Sequence, residues 1–242
     1  MIPENQGDAF MKKILSVLMA LIMALSAVQC LSVVSFAADE SETAVAEDHG
    51  EVVKSGNCGE KDENGDFSSN VTYELYEDGT LVISGNGAMP DFSYDEWVYE
   101  EIDNPYASYI VSEEYDYYID RTIKAVKVEE GVTKIGANAF VSFVNLASVE
   151  LPESITGIGT SAFYQCHAIE SINIPDSVTY IKESAFAGCS GLKSLTIPKG
   201  VGSFGVGAFS GCTNLESVEF EGTTYISACC FYVCNKLMYV LK

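Results

Sequence analysis

A repeat of 23 residues dominates the second half of this sequence and limits what the chain can fold into. Ile174–Cys212 contains two copies of one pattern, I-P-x-x-V-x-x-I/F-x-x-x-A-F-x-G-C. Phe186 and Phe209 lie 23 residues apart, and so do Cys189 and Cys212. A fixed period of this length is typical of solenoids, in which each repeat forms one turn and buries its apolar side by stacking on its neighbours.

The repeat extends in both directions and defines columns of apolar residues. One aromatic position recurs at Phe140, Phe163, Phe186, Phe209 and Phe231. Three residues later, a cysteine recurs at Cys166, Cys189, Cys212 and Cys234, with Phe143 at this place in the first repeat. A second phrase, L-x-x-V-x-I, begins at Ile123, Leu146, Ile169, Leu192, Leu215 and Leu237. We therefore expect an array over residues 121–242, with five whole repeats and a partial one, Leu237–Lys242.

The two phrases predict different parts of one turn. In L-x-x-V-x-I the last two apolar residues have the period of a strand, so both point into the core. Proline then ends the strand because it cannot donate a hydrogen bond to a ladder. The phrase V-x-x-I returns to the core, and A-F-x-x-C turns back across the stack.

These residues resemble the BspA-like bacterial surface proteins of the leucine-rich repeat superfamily. The pattern of that family, AF-x-x-C-x-x-L-x-x-V-x-I-P-x-x-V-x-x-I, fits the second to fourth repeats nearly letter for letter. The resemblance implies a leucine-rich repeat solenoid that is mainly β with short helical turns. It also implies adhesion to host matrix proteins, other cells or polymers, as is known of some members of the family.

A small β-hairpin module is predicted ahead of the array, at residues 54–92. Val71, Tyr73 and Leu75 alternate with polar neighbours, and Leu81 and Ile83 alternate likewise. The turn between them contains Asp-Gly, a strong hairpin signal. The stretch Asp78–Phe92 is similar to the unit that commonly precedes BspA-like repeats, so we expect this module to cap the first turn.

The N-terminus reads as a targeting segment. Two lysines after Met11, the expected start, precede a long apolar run, and small residues before Ala38 suggest cleavage after Ala37. Residues 1–37 are therefore predicted to be a signal peptide. An uncleaved membrane span and lipidation at Cys30 are the alternatives, and each places the remainder outside the cytoplasm. At the other end, Lys242 falls within a repeat, so we expect that the chain continues or that this end pairs with another molecule.

Charge is distributed unevenly along the chain. The net charge is −22, and residues 39–120 carry 23 acidic residues against 2 lysines, whereas residues 121–242 carry 10 acidic and 9 basic residues. Residues 38–53 are acidic and lack aromatic residues, so we predict a disordered linker there. This charge argues against nucleic acid or an anionic membrane surface as a partner, because binding to phosphate groups needs a basic patch.

An acidic, tyrosine-rich insertion is predicted at residues 93–120. Between Asp91 and Asp120 lie 7 of the 14 tyrosines and the only tryptophan. One interpretation is an insertion that packs against the cap. The other is a contact surface, because Tyr and Trp dominate interface hot spots. The candidate binding residues are Tyr94, Trp97, Tyr99, Tyr115, Tyr117 and Tyr118.

Catalytic and metal-binding patterns are weak. His49 and His167 are isolated in sequence. Asp62, Asn64 and Asp66 imitate the start of a calcium loop, but Phe67 stands where that loop needs glycine. Paired carboxylates beside Trp97 could instead support glycan hydrolysis, and the candidates are Asp91, Asp95, Glu96, Glu100 and Glu101. We predict no cofactor, no metal site and no enzymatic activity.

The cysteines are predicted to be thiols rather than disulfides. The four ladder cysteines should point inward, where a free cysteine behaves as a small hydrophobic residue. Cys230 takes a buried alanine position, Cys229 takes a mostly polar position, and Cys58 lies outside the array.

The outward positions of the strand phrase form two small, polar columns. One contains Ala125, Ser148, Ser171, Ser194, Ser217 and Tyr239, and the other contains Lys127, Glu150, Asn173, Thr196 and Glu219. Without aromatic or arginine anchors, we expect weak binding there. The sequence therefore predicts a secreted or cell-surface interaction module for an extracellular protein or polysaccharide, with a structural spacer as the alternative.

Overall fold

The structure is a computed structural model that describes residues 48–60, 68–93, 104–108, 110–111, 118–222 and 225–241. The predicted signal peptide and residues 38–47 of the predicted linker lie outside these ranges. So does most of the acidic insertion, including Tyr94, Trp97, Tyr99, Tyr115 and Tyr117.

The described residues form 15 short strands. In chain order they are β1 (Val52–Asn57), β2 (Thr72–Tyr76), β3 (Thr80–Ser84), β4 (Gly87–Ala88), β5 (Ile110–Val111), β6 (Tyr118–Ile119), β7 (Ala125–Val128), β8 (Val132–Ile135), β9 (Ser148–Glu150), β10 (Gly157–Ile158), β11 (Tyr180–Ile181), β12 (Ser194–Ile197), β13 (Ser203–Phe204), β14 (Ser217–Phe220) and β15 (Tyr239–Leu241).

The cap is an antiparallel meander of β1, β2 and β3. The β2–β3 hairpin turns at Gly79, whose φ is +91°, and Asp78 accepts a hydrogen bond from the backbone of Thr80 at 2.7 Å. Because β3 pairs in parallel with β7, the cap covers the first turn of the array, and the prediction of a hairpin cap is confirmed. Strand β1 begins at Val52, inside the segment predicted as linker, so the ordered cap starts earlier than residue 54.

The array is a stack of turns joined by parallel ladders, in which paired residues lie one repeat apart. On one wall, Ala125 pairs with Ser148, and Ser194 pairs with Ser217. On a second wall, β8, β10, β11 and β13 pair in order, with β4 of the cap beside β8. The solenoid prediction is therefore confirmed, including the constant shift of one repeat between neighbouring strands.

The A-F-x-x-C segments are turns and not the short helical turns that the resemblance implied, and no helix occurs in the described residues. The physical reason lies at two positions, four residues apart, that carry a positive φ in every turn. These positions are Asn138 and Ser142, Ser161 and Gln165, Ser184 and Gly188, Gly207 and Gly211, and Cys229 and Val233. A left-handed residue at each end interrupts the helical hydrogen-bond pattern.

The third turn departs from the pattern on the first wall. Ser171–Ile174 occupies the strand position, yet it forms no strand, and β9 and β12 belong to separate sheets on either side of it. Within the described residues, no backbone hydrogen bond joins these four residues to either neighbouring turn. The sequence pattern predicted a strand there, so this break is a finding of the structure.

One continuous hydrophobic core extends from Cys58 in the cap to Cys230 in the fifth turn. Alternation on the first wall follows the prediction: Leu195 and Ile197 are buried, while Ser194 and Thr196 are exposed. Burial of the phenyl, aliphatic and thiol side chains is therefore shared by all turns, as expected when single repeats cannot bury their own apolar face.

Candidate binding surfaces

The phenyl and thiol columns fill the interior. Rings of successive turns stack nearly parallel, with centroids 5.0 Å apart for Phe163 and Phe186 and 5.3 Å apart for Phe186 and Phe209. Phe140, Phe163, Phe186 and Phe209 are fully buried, whereas Phe231 in the last turn is half-buried. These buried rings have a structural role and offer no functional group to a ligand.

The ladder cysteines are thiols that bond to the turn below. Each donates to the carbonyl oxygen of a phenylalanine one repeat earlier, at 3.1 to 3.3 Å, and these donors are Cys166, Cys189, Cys212 and Cys234. Burial raises the pKa of Cys189 to about 12 and that of Cys58 to about 12. Cys230 is buried and Cys229 is exposed. A thiol with a raised pKa, buried in apolar surroundings, is unreactive.

The acidic insertion is fastened to the first turn in its middle and at its C-terminal end. In the middle, Asn104 donates to the carbonyl of Ala139 at 2.8 Å, and the Tyr106 hydroxyl donates to the same oxygen at 2.9 Å. At the C-terminal end, Asp120 is fully buried and accepts from the backbone of Thr122 at 2.6 Å and from the Thr122 hydroxyl at 2.7 Å. It also accepts from the backbone of Ser108.

Tyr106 is the aromatic residue of the insertion that the structure places in the core. Its ring is fully buried and contacts Tyr73 and Phe92 of the cap and Phe140 and Phe143 of the first turn. Sequence reasoning grouped it with its acidic neighbours and did not single it out. Its Asn-Pro-Tyr context, in which no acidic residue is adjacent to the tyrosine, is the signal that could have separated it.

The predicted binding residues are described only in part. Tyr118 lies in β6, which pairs with β5, and the other five candidates fall outside the described residues. Beside the base of the insertion, a groove of about 540 Å³ runs along the hairpin turn of the cap. Its lining consists of Val53, Lys54, Leu75, Tyr76, Glu77, Gly79, Ser108 and Thr122.

Asp91, a predicted candidate for catalysis, instead joins the cap to the array. It accepts from the Lys134 ammonium at 2.9 Å and from the backbone of Ala137 at 2.7 Å. Desolvation of the carboxylate raises its pKa, but these two hydrogen bonds outweigh that effect and hold the pKa of Asp91 below its ordinary value. The other carboxylates of that group lie outside the described residues.

The two histidines are not brought together. His49 bonds to Asp78 at 3.0 Å, and His167 bonds to the carbonyl of Gly188 at 2.9 Å. Among the described residues, no group of three or more His, Cys, Asp or Glu side chains is arranged to hold a metal ion. The same part of the chain forms no helix of the length and apolarity needed to cross a membrane.

The break at the third turn opens a notch in the first wall that sequence reasoning did not find. Its volume is about 290 Å³. We call it the strand-face notch, and its lining consists of Ser171, Ile172, Asn173, Ile174, Asp176, Thr196, Pro198 and Glu221. The rest of the wall carries the small polar columns that were predicted, with Ser148, Ser194, Glu150 and Glu219 exposed.

A comparison with protein families matches six copies of the BspA type leucine rich repeat region to residues 112–238. The chain belongs to the BspA type leucine-rich repeat family. Residues 112–238 include the last part of the insertion, so the family repeat begins before the first whole repeat recognised in the sequence. A comparison with the curated proteins finds no match.

Solved structures of bacterial leucine-rich repeat proteins are similar to this BspA-type chain. The T. pallidum leucine rich repeat protein is 25% identical with a TM-score of 0.49, over 70% of this chain and 78% of that one. A leucine rich cell surface protein from Faecalibacterium prausnitzii is 25% identical with a TM-score of 0.41, over 70% and 52%. The pneumococcal vaccine antigen PcpA is 21% identical with a TM-score of 0.39, over 69% and 51%. This chain spans about half the length of the latter two.

Proposed function

We propose that this chain is an interaction module, secreted or held at the cell surface, that binds an extracellular protein or polysaccharide without catalysis. The BspA-type repeat supports this role, because solenoids of stacked repeats commonly serve as extended binding surfaces. The predicted signal peptide at residues 1–37 supports the extracellular location.

The acidic, tyrosine-rich insertion is the proposed contact surface. The observation that carries the proposal is the anchoring of the insertion by buried groups, with Asn104 and Tyr106 in its middle and Asp120 at its C-terminal end. A buried carboxylate or amide costs free energy unless it is fully hydrogen-bonded. These anchors hold the described parts of the insertion to the first turn. The candidate residues lie next to these parts in the sequence, and they are Tyr94, Trp97, Tyr99, Tyr115, Tyr117 and Tyr118.

Capture of immobilised extracellular matrix proteins and cell-wall polysaccharides tests this role. The intact chain is compared with a W97A/Y117A double variant and with Tyr225→Ala, whose tyrosine is 74% exposed but lies at the far end of the array. Loss of two hot-spot residues should weaken capture at least about tenfold, whereas Tyr225→Ala should retain it. Circular dichroism confirms that both variants fold.

Equal capture by the intact chain and the W97A/Y117A variant would contradict the proposed contact surface. Absence of capture by the intact chain would leave the structural spacer as the better account. The remaining alternative, a glycan-acting or ion-dependent site at residues 91–120, predicts release of reducing ends from the same polysaccharides, with or without added calcium.

A further inference from the structure

We propose that the strand-face notch binds the protonated side chain of a lysine presented by a protein partner. The inference deepens the proposed function, on which it rests for the existence of a protein partner. It concerns a different surface from the insertion, so the two can fail separately. The notch lies on the first wall and is lined by residues of the third, fourth and fifth turns.

The floor and the rim of the notch differ in chemistry. Ile172 and Ile174 line the notch and form its apolar floor, with 8% and 5% of their surface exposed. The rim carries the exposed carboxylates of Asp176 and Glu221 and the amide of Asn173. A lysine side chain has the same division, since its methylene stem favours apolar surface and its ammonium favours oxygen acceptors.

The break in the ladder leaves backbone N–H and C=O groups of Ser171–Ile174 without the ladder bonds that ordinary turns make. In β12 and β14, backbone carbonyls are taken up by the parallel ladder from Ser194–Ser217 to Ile197–Phe220. Ser171–Ile174 makes no such bonds to its neighbours within the described residues. An ammonium group has three donors and no acceptor, so it can use these carbonyl oxygens. The carboxylates of Asp176 and Glu221 make the notch favour a cation over a neutral or anionic group.

The charges of the lining fit the same ligand. Asp176 and Glu221 are the ionisable residues of the notch, and both are acidic. The chain's own Lys199 already approaches the Asp176 carboxylate at 4.0 Å, with the two side chains 73% and 61% exposed. A pair this exposed contributes little stability, so an incoming ammonium can replace Lys199 at low cost.

The lining favours a lysine over a sugar. None of the eight lining residues is aromatic, so the notch offers no ring on which a sugar could stack. The guanidinium of arginine is planar and best matched by one carboxylate bound through both oxygens, whereas ammonium is a compact point charge with three donors, which suits separate acceptors such as Asp176 and Glu221.

Nuclear magnetic resonance of the intact, ¹⁵N-labelled chain tests the proposal with the blocked tripeptide acetyl-Gly-Lys-Gly-amide. The expected result is a saturable shift of the amide signals of residues 171–174, 196 and 221. Acetyl-Gly-Gln-Gly-amide should not produce it. In the D176N/E221Q variant the affinity for the lysine peptide should fall by about tenfold, which corresponds to about 1.4 kcal/mol. The E129Q/E130Q variant removes the same charge elsewhere on the array and should bind like the parent chain.

A matched pair of lysine substitutions separates site binding from attraction to an acidic protein. Lys199→Gln frees Asp176 and should increase the affinity for the peptide several-fold. Lys124→Gln removes the same charge in the first turn, where Lys124 donates to the backbone carbonyl of Asp78 at 3.1 Å, and should leave the affinity unchanged.

Three outcomes would overturn the proposal. They are equal shifts with the lysine and glutamine peptides, shifts spread over all acidic surfaces, and tighter binding of glucosamine than of the lysine peptide. Because the assay needs no natural partner, its failure leaves the capture test of the insertion untouched. Conversely, loss of capture in the W97A/Y117A variant does not alter the prediction for the notch.

Discussion

At the scale of single residues, the account depends on which side chains tolerate a left-handed backbone. The second left-handed position of each turn is occupied by Ser142, Gln165, Gly188, Gly211 and Val233. Glycine adopts this conformation without strain, whereas a β-branched side chain is strongly disfavoured there. Val233, at φ +60°, is therefore the most strained of the five, and it lies in a turn that is otherwise less buried than the rest.

Replacing Val233 with glycine should therefore stabilise the protein. Removing the strain of a non-glycine residue in the left-handed region is expected to raise the free energy of unfolding by about 1 kcal/mol. The reciprocal variant, Gly211→Val, places the same side chain at φ +75° one turn earlier and should lower stability by at least as much. Urea denaturation followed by circular dichroism measures both. A lower midpoint for Val233→Gly would contradict the explanation.

At the scale of elements, neighbouring turns approach so closely that some positions exclude any side chain. A Cβ atom at Gly159 would lie 2.6 Å from the backbone nitrogen of Ala137 in the turn below. A Cβ atom at Gly157 would lie 2.0 Å from Cζ of Tyr180, in the turn above. The first obstacle is backbone that both walls hold in place, and the second is the tip of a partly exposed side chain.

The two glycines should therefore respond differently to alanine. Gly159→Ala forces two turns apart and should cost about 1 to 3 kcal/mol, as overpacking of a core does. In Gly157→Ala the Tyr180 ring can rotate toward solvent, so the loss should be well under that of Gly159→Ala. The difference between their thermal unfolding midpoints is the measurement. Equal destabilisation would mean that Tyr180, and not the backbone, sets the spacing.

The same elements show which features of the fold could be predicted from the sequence. The period of Phe186 and Cys189 determines the stacking and the burial of these columns, because every repeat must fill the same space. The prediction of helical turns from the resemblance was wrong. A serine such as Ser184 can have a left-handed or a helical backbone conformation, and its identity alone does not show which. The break at Ser171–Ile174 could not be predicted either. Its residues fit the repeat pattern, and the missing hydrogen bonds depend on the geometry between neighbouring turns.

The candidate binding residues were predicted from composition, and that limits what sequence could say about them. Acidic and aromatic letters occur together from Asp91 to Asp120, yet the structure shows that Tyr106 and Asp120 serve the core and the base of the segment. Composition describes a whole segment and cannot assign one tyrosine to the interior and another to a partner.

At the scale of the whole molecule, the cap and the array are joined by a few polar contacts as well as by the shared core. Asp91 of the cap binds Lys134 and the backbone of Ala137 in the first turn. Its pKa is below the ordinary value in the folded protein. A carboxyl whose pKa is lowered by folding stabilises the protein above its unfolded pKa, and this contribution is lost as the pH falls through the folded value.

Asp91→Asn should therefore reduce the dependence of stability on pH in the acid range. In the parent chain, the contribution of Asp91 is complete at pH 5 and declines below about pH 4, near the unfolded pKa of aspartate. Urea midpoints at pH 5 and pH 3 should differ less in the variant than in the parent. Glu183→Gln, which removes an exposed carboxylate from the array, is the control and should keep the parent's pH dependence. Identical pH profiles for parent and Asp91→Asn would show that this contact does not couple cap and array.

The central claim is that the repeats coil into stacked turns with the phenyl and thiol columns inside. Alkylation of the native chain with iodoacetamide, mapped residue by residue by mass spectrometry, tests it most directly. Cys229 is exposed and Cys234 in the last turn is half-buried, so both should react. Cys166, Cys189 and Cys212 are fully buried and should react at least about a hundredfold more slowly until urea unfolds the chain. Modification of Cys189 in the native protein as fast as Cys229 would contradict the solenoid.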